Sequence, residues 1–207
     1  MDPVDQTDGE LFNWVCSKPR REHQFWFLFG MLNTGARPAA VLELGRNQVE
    51  WDHQLEHLNP PGRRQQLRKL RPSIRISNCL WDWMHYRDNW EHWVGYGQNN
   101  QPIANMKNMA KRVRAELGWE EYCTYSIRHF VSTHLYARMR ANGVADAKQQ
   151  LAYVLGHSGE LNSTTDRYIK YSPDFMSAPI DAVDDLMKDI QEHTKYELFA
   201  PKTHPKP

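Results

Sequence analysis

The sequence predicts a mainly α-helical chain with a small antiparallel β-sheet, an α+β class, on three observations. Apolar residues recur at helical spacing in most segments from residue 21 onward. Short alternating segments cluster once, between residues 48 and 76. Gly, Pro or Asn-Gly signals separate nearly every segment from the next.

Taken in order, residues 1–20 are polar and acidic at the start and carry Pro19, so they are expected to be a loose lead-in to a domain over 21–178. EHQFWFLFGML has helical length and no alternation, and NTGARP turns the chain into a short helix, AAVLEL. QVEW and HQLEHL read as short strands, NPPGRR must be a turn because two prolines and a glycine cannot continue a ladder, and SIRIS is a further strand. CLWDWMHYRDNWEHWV carries aromatic residues at helical spacing and is broken by the stretch from Gly95 to Asn100. The segments IANMKNMAKRVRAEL, IRHFVSTHLYARMRA, DAKQQLAYVL and APIDAVDDLMKDIQEH follow as helices, and Thr164 to Tyr171 reads as one more. The last of the four, over 179–199, is amphipathic: its apolar face packs either on its own domain or on a neighbouring protomer. Residues 200–207, with PKTHPKP, are too polar and proline-rich to pack and are expected to be disordered.

Composition narrows the classes. With 207 residues and 40% hydrophobic content the chain can bury one sizeable core. Its longest apolar stretch, Phe25 to Leu32, is far short of the ~20 residues that a bilayer requires, and the acidic start lacks a basic n-region and an h-region. Cys16, Cys79 and Cys123 are odd in number and widely spaced, which suits reduced thiols in a cytoplasm better than a disulfide framework or a zinc site. The formal net charge of +1 conceals a separation: Arg63, Arg64, Arg68, Lys69, Arg71 and Arg75 cluster on the expected β-turn, Lys107 to Arg114 form a second basic group, and the acids gather between Asp181 and Glu192.

Four features carry chemistry: Arg37 in NTGARP, the basic turn with Lys69, Arg128 in TYSIRHFVSTHL, and LGHSGELNSTTDRY with His157 and Tyr168. Singly each has a bland reading, as a solvated loop arginine, a solvated cationic face, a helix residue, or one aromatic among nine tyrosines. A metal site at His129, His134 and His157 lacks the HExxH or mixed Cys/His spacing it would need. No GxxxxGK[ST] loop points to a nucleotide cofactor.

Together, TGAR, SIRHFVSTHL and LGHS followed by STTDRY resemble, in that order, the three signature boxes of the tyrosine recombinases of the phage-integrase family, over roughly residues 21–172. The resemblance implies the catalytic-domain fold of that family and a site-specific recombinase that cuts and rejoins DNA. It assigns catalysis to Arg37, Lys69, Arg128, His157 and the nucleophile Tyr168, through a 3′-phosphotyrosyl link and without cofactor or metal. The residue types fit such a reaction. Two planar, always-charged guanidiniums suit the non-bridging oxygens of a five-coordinate phosphorus, and a tyrosine hydroxyl with an ordinary pKa near ~10 needs its proton removed.

The same resemblance puts a lysine on the hairpin turn, Lys69, as proton donor to the leaving 5′-oxygen, and gives Arg63, Arg64, Arg68 and Arg71 a DNA-binding role. It implies double-stranded DNA as partner, a homo-oligomer (a tetramer) on DNA that is monomeric when free, and a cytoplasmic, nucleoid-associated place in a mobile genetic element. Two departures stand out: Tyr125 occupies a position that is usually His or Lys, so its phosphate contact carries no charge, and GELNS lengthens the His157–Tyr168 spacing. Two alternatives stay open: a catalytically weakened DNA-binding remnant, and a type IB topoisomerase-like nicking-closing enzyme.

Overall fold

In the computed structural model the most thoroughly buried element is the helix α2, Glu22–Thr34, in which Gln24 and every residue from Trp26 to Thr34 lie out of solvent. It belongs to a structure described for residues 3–18, 21–66, 69–87, 90–97, 99–157 and 174–200, with side chains from residue 9. A helix apolar all round has no solvent face, so others must surround it. Around it lie α1 (Pro3–Cys16), α3 (Pro38–Leu42), α4 (Asn78–Tyr86), α6 (Thr124–Ala141) and α8 (Ser177–His193), with α7 (Ala147–Val154) against α6 and α8 and the amphipathic α5 (Lys107–Leu117) as a further helix.

Two small antiparallel sheets complete the fold. The larger has the order β1 (Val49–Glu50), β2 (Leu55–His57), β3 (Ser73–Arg75), with Leu55 opposite Arg75 and His57 opposite Ser73; β4 (Gly95–Tyr96) and β5 (Gln101–Pro102) form the other. The α+β class is therefore the observed one. Among the described residues no helix is long and apolar enough to cross a membrane, and Cys16, Cys79 and Cys123 are all free thiols.

Four expectations need correction. The first concerns residues 1–20, expected as a loose lead-in: most of them form α1, whose Leu11, Phe12, Trp14 and Val15 are buried. Gly9 lets this helix approach α8 so closely that a Cβ there would stand 2.6 Å from that of His193. Asn13 fixes the pair, donating to the His193 carbonyl at 3.1 Å and accepting from the Lys195 amide at 2.7 Å.

Second, the helix expected from Cys79 to Val94 stops at Tyr86. Beyond it the chain is drawn to the α3 exit, where the Trp93 amide donates to the Leu44 carbonyl at 2.8 Å and Gly45 bridges His92. Trp93 itself is fully buried, and its indole N–H donates to the Trp26 carbonyl at 3.0 Å. Third, α5 begins at Lys107 rather than near Ile103, because Gln101 and Pro102 pair with β4. Fourth, the helix expected over 179–199 is shorter, and of its two readings the packing on its own domain is the one seen: Ile180, Val183, Leu186, Met187 and Ile190 are buried, and α8 packs on α1, α2 and α6. It ends at His193, and the remaining residues to 199 are not helical. Thr164–Tyr171 and residues 201–207 lie outside the described residues.

Glu56 departs from the usual rule for charges. It lies mid-strand in β2, opposite Val49 and Ile74, and is fully buried; neither carboxylate oxygen has a hydrogen-bond partner among the described residues. Burial pushes its pKa from 4.5 up to about 8. The protonated form is thus the one the fold tolerates, so this group's contribution is fully present below pH ~4.5 and is lost as pH rises through about 8. At about 1.4 kcal/mol per unit the loss amounts to a few kcal/mol. Glu56→Gln removes the ionisation, so its thermal midpoint is expected to stay level between pH 6 and 9, on the order of 5–10 °C above the falling wild-type value at the alkaline end. Parallel curves in thermal melts would show that Glu56 does not titrate there.

Candidate active site

Arg37 is set by its neighbours. Pro38 excludes the helical region for the residue before it, so Arg37 is extended (φ -68°, ψ 144°) while Pro38 opens α3. Its guanidinium is thereby turned away from the helix, and its Nη1 donates to the Leu70 carbonyl at 2.7 Å. Just upstream, Gly35 ends α2 with a left-handed φ of 57°, its amide returning to the Met31 carbonyl at 2.9 Å.

Arg128 comes from the first half of α6 and is almost completely buried. Nη1 donates to the Gly35 carbonyl at 2.7 Å, and Nη2 donates to the Leu155 carbonyl at 2.6 Å and to His157 Nε2 at 3.1 Å. The two carbonyls lie at the C-terminal ends of α2 and α7, where helix dipoles favour a cation. One guanidinium therefore joins the ends of two helices and holds the histidine beside them.

His157 owes its place to the end of α7. The Gly156 amide bonds the Tyr153 carbonyl and the His157 amide bonds the Ala152 carbonyl, both at 2.8 Å, with Gly156 left-handed at φ 64°. This pairing is a Schellman motif, which explains why glycine precedes the histidine in LGHS. Because a guanidinium can only donate, Nε2 is the accepting nitrogen, and the neutral ring carries its proton on Nδ1. Burial, then Arg128, then Arg37 hold the imidazole below its ordinary pKa of 6.5. Arg128 is itself lowered to about 10 by burial and by Arg37, with Tyr125 acting in the opposite sense. Arg37, Arg128 and His157 thus form a cationic cluster that no carboxylate among the described residues neutralises, which is the electrostatic signature of an anion site.

Gly156 also fixes the β2–β3 hairpin. A Cβ on it would stand 2.3 Å from the Leu70 carbonyl oxygen, the acceptor used by Arg37. Gly156→Ala is expected to cost about 2–5 kcal/mol, combining a left-handed alanine with a backbone clash. That corresponds to a fall of roughly 5–15 °C in the thermal midpoint; a shift under 2 °C would mean that the turn does not press on the hairpin.

The other predicted residues divide. Lys69 is exposed and sits beside Leu70, so the clamped hairpin limb brings its backbone next to the cluster. Tyr125 lies one helical turn before Arg128 and is exposed. Arg64 is exposed, whereas Arg63 and Arg71 both bind Glu43 Oε2, Arg71 at 2.6 Å. Arg68 and Tyr168 lie outside the described residues, as do Ser158 and the competing Tyr171. Sequence reasoning missed Glu43, since nothing local links it to arginines 20 and 28 positions away. It also missed the Gly35, Leu70 and Leu155 carbonyls, although Gly35 and Gly156 marked two of those turns.

No family model matches the chain, and no curated protein does. Among solved structures it is similar to the Tn1549 transposon integrase. A tyrosine-to-phenylalanine variant of that integrase, in complex with transposon right end DNA, superposes with a TM-score of 0.51 at 13% identity over 85% of this chain and 62% of the other. A complex with circular intermediate DNA gives 0.50 at 13% identity over 87% and 62%, and an arginine-to-lysine variant with a circular intermediate DNA gives 0.50 at 14% over 87% and 63%. The chain therefore spans less than two thirds of the integrase chains it matches, and what it shares with them is the fold.

Proposed function

We propose that this chain, which has the fold of the integrase structures, is the catalytic domain of a site-specific DNA recombinase that uses Tyr168 as its nucleophile. The observation that carries the reading is the convergence of Arg37, Arg128 and His157, from three separate boxes of the sequence, into one cationic cluster without a counter-ion among the described residues. A DNA phosphodiester supplies the missing anion.

Arg37 and Arg128 bind the non-bridging oxygens, and they stabilise the added charge of the five-coordinate phosphorus more than they stabilise the ground state. The Tyr168 oxygen attacks phosphorus and its proton passes to a base, while the bond from phosphorus to the 5′-oxygen breaks and that oxygen takes a proton, from Lys69 in this reading. His157, neutral near pH 7, donates to the phosphate from its protonated Nδ1, or receives the tyrosine proton on Nε2 once that nitrogen gives up its bond from Arg128. The 3′-phosphotyrosyl bond conserves the energy of the phosphodiester, so rejoining consumes no nucleotide. On DNA the active form is a homo-oligomer.

A suicide duplex tests this directly, with a nick placed so that the cleaved fragment diffuses away. Substrates drawn from the DNA flanking the gene should leave protein covalently attached to a 3′ end, and peptide mapping should place the adduct on Tyr168. A duplex that is bound yet never yields an adduct would favour the DNA-binding remnant instead.

A further inference from the structure

Glu43, just past the C-terminal end of the five-residue helix α3 that follows Arg37, accepts from both Arg63 and Arg71 through one oxygen, Oε2. Two guanidiniums that converge on a single anionic oxygen form a phosphate-sized subsite that already holds an anion. We infer that Glu43 is a built-in phosphate surrogate, which keeps the Arg63–Arg71 subsite closed until a backbone phosphate of duplex DNA displaces it. The inference rests on the recombinase reading and names how that site meets its DNA.

Three observations favour displacement over a purely structural ion pair. First, the backbone on which the arginines ride is held without Glu43: Asn59 donates to the Arg63 carbonyl at 2.7 Å, Gln65 donates to the Arg71 carbonyl at 2.8 Å, and the Arg71 amide returns to Gln65 Oε1 at 3.3 Å. Removing the carboxylate thus frees the guanidinium heads and leaves the loop in place. Second, the side chains of Glu43 and Arg63 are 40% and 45% exposed, so the carboxylate has room to swing out, while Arg71, at 17%, stays seated as the inner arm of the subsite. Third, Arg37 and Glu43 stand at opposite ends of α3, about 9 Å apart at 1.5 Å per residue, so one DNA strand can reach both. Burial acts to raise the Glu43 pKa, but the hydrogen bonds and charges of Arg71 and Arg63 together outweigh it and leave the pKa lowered, so the group is held as the anion that a phosphate would replace.

Duplex binding by fluorescence anisotropy decides the matter, using wild type, Glu43→Gln, Arg63→Ala/Arg71→Ala, and the three changes combined. Glu91→Gln, an exposed acid on the groove that Glu43 also lines, reports the effect of removing any negative charge. Glu43→Gln should tighten binding roughly tenfold and steepen the dependence of log K on log salt by about one to two, because two cations become free for phosphate. Glu91→Gln should change affinity less than about threefold, and Glu43→Gln should bring no gain once both arginines are gone.

A Glu43→Gln gain no larger than that of Glu91→Gln, or one that persists without the arginines, would overturn the surrogate role and leave the recombinase reading intact. Failure of every variant to bind duplex at low salt would overturn both.

Discussion

Arg128→Lys is expected to lower DNA strand cleavage by about three orders of magnitude, and to lower stability with it. Lysine keeps the positive charge but offers a single ammonium, which cannot serve the Gly35 carbonyl, the Leu155 carbonyl and His157 Nε2 together. At least one buried carbonyl then loses its donor, at about 1–3 kcal/mol, or roughly 2–10 °C in the thermal midpoint. His157 loses its anchor as well, so orientation suffers in addition to charge stabilisation. Cleavage assayed well below the midpoint separates the two effects. A variant that is destabilised as expected but cleaves within about tenfold of wild type would make Arg128 a structural residue only.

Tyr168→Phe is expected to abolish the covalent adduct outright while leaving duplex affinity and the thermal midpoint unchanged. The substitution deletes one oxygen, the only atom of that side chain that would bond to phosphorus in the proposed reaction, and phenylalanine cannot replace it. Tyr171→Phe is the companion measurement, because it removes a hydroxyl of the same chemistry three residues away. Trapping that survives Tyr168→Phe and disappears with Tyr171→Phe would move the nucleophile by three positions and would leave the proposed role of the Arg37, Arg128 and His157 cluster intact.

Local rules made some of this legible from sequence and hid the rest. Pro38 fixes the backbone of Arg37, and the glycine of LGHS marks the left-handed turn that presents His157; both are effects of one residue on its neighbour. The helices α2 and α6 were equally readable, α2 from its length and apolar run and α6 from its own helical spacing. What sequence hid depends on partners far along the chain. The polar beginning of α1 masks Leu11, Phe12 and Trp14, which are buried because α1 packs on α2 and α8. The tryptophans after Tyr86 keep helical spacing, yet their backbone bonds to residues near Leu44. The basic run contains no acid, and Glu43, which takes up two of its cations, comes from another element. Glu56 would count as a surface charge on composition, but its strand phase sets it opposite Val49 and Ile74.

The bonds from Asn13 to His193 and Lys195 join residues 180 and 182 apart, which orders events as the chain is made. The first helix can find its seat only after the last has left the ribosome. At about 5–20 residues per second that wait lasts roughly 10–40 s. During it α1 can pack on α2, as Phe12 does on Phe25, but lacks the cover that α8 supplies. Seating α1 against α8 is therefore a late, long-range event in the folding of the domain.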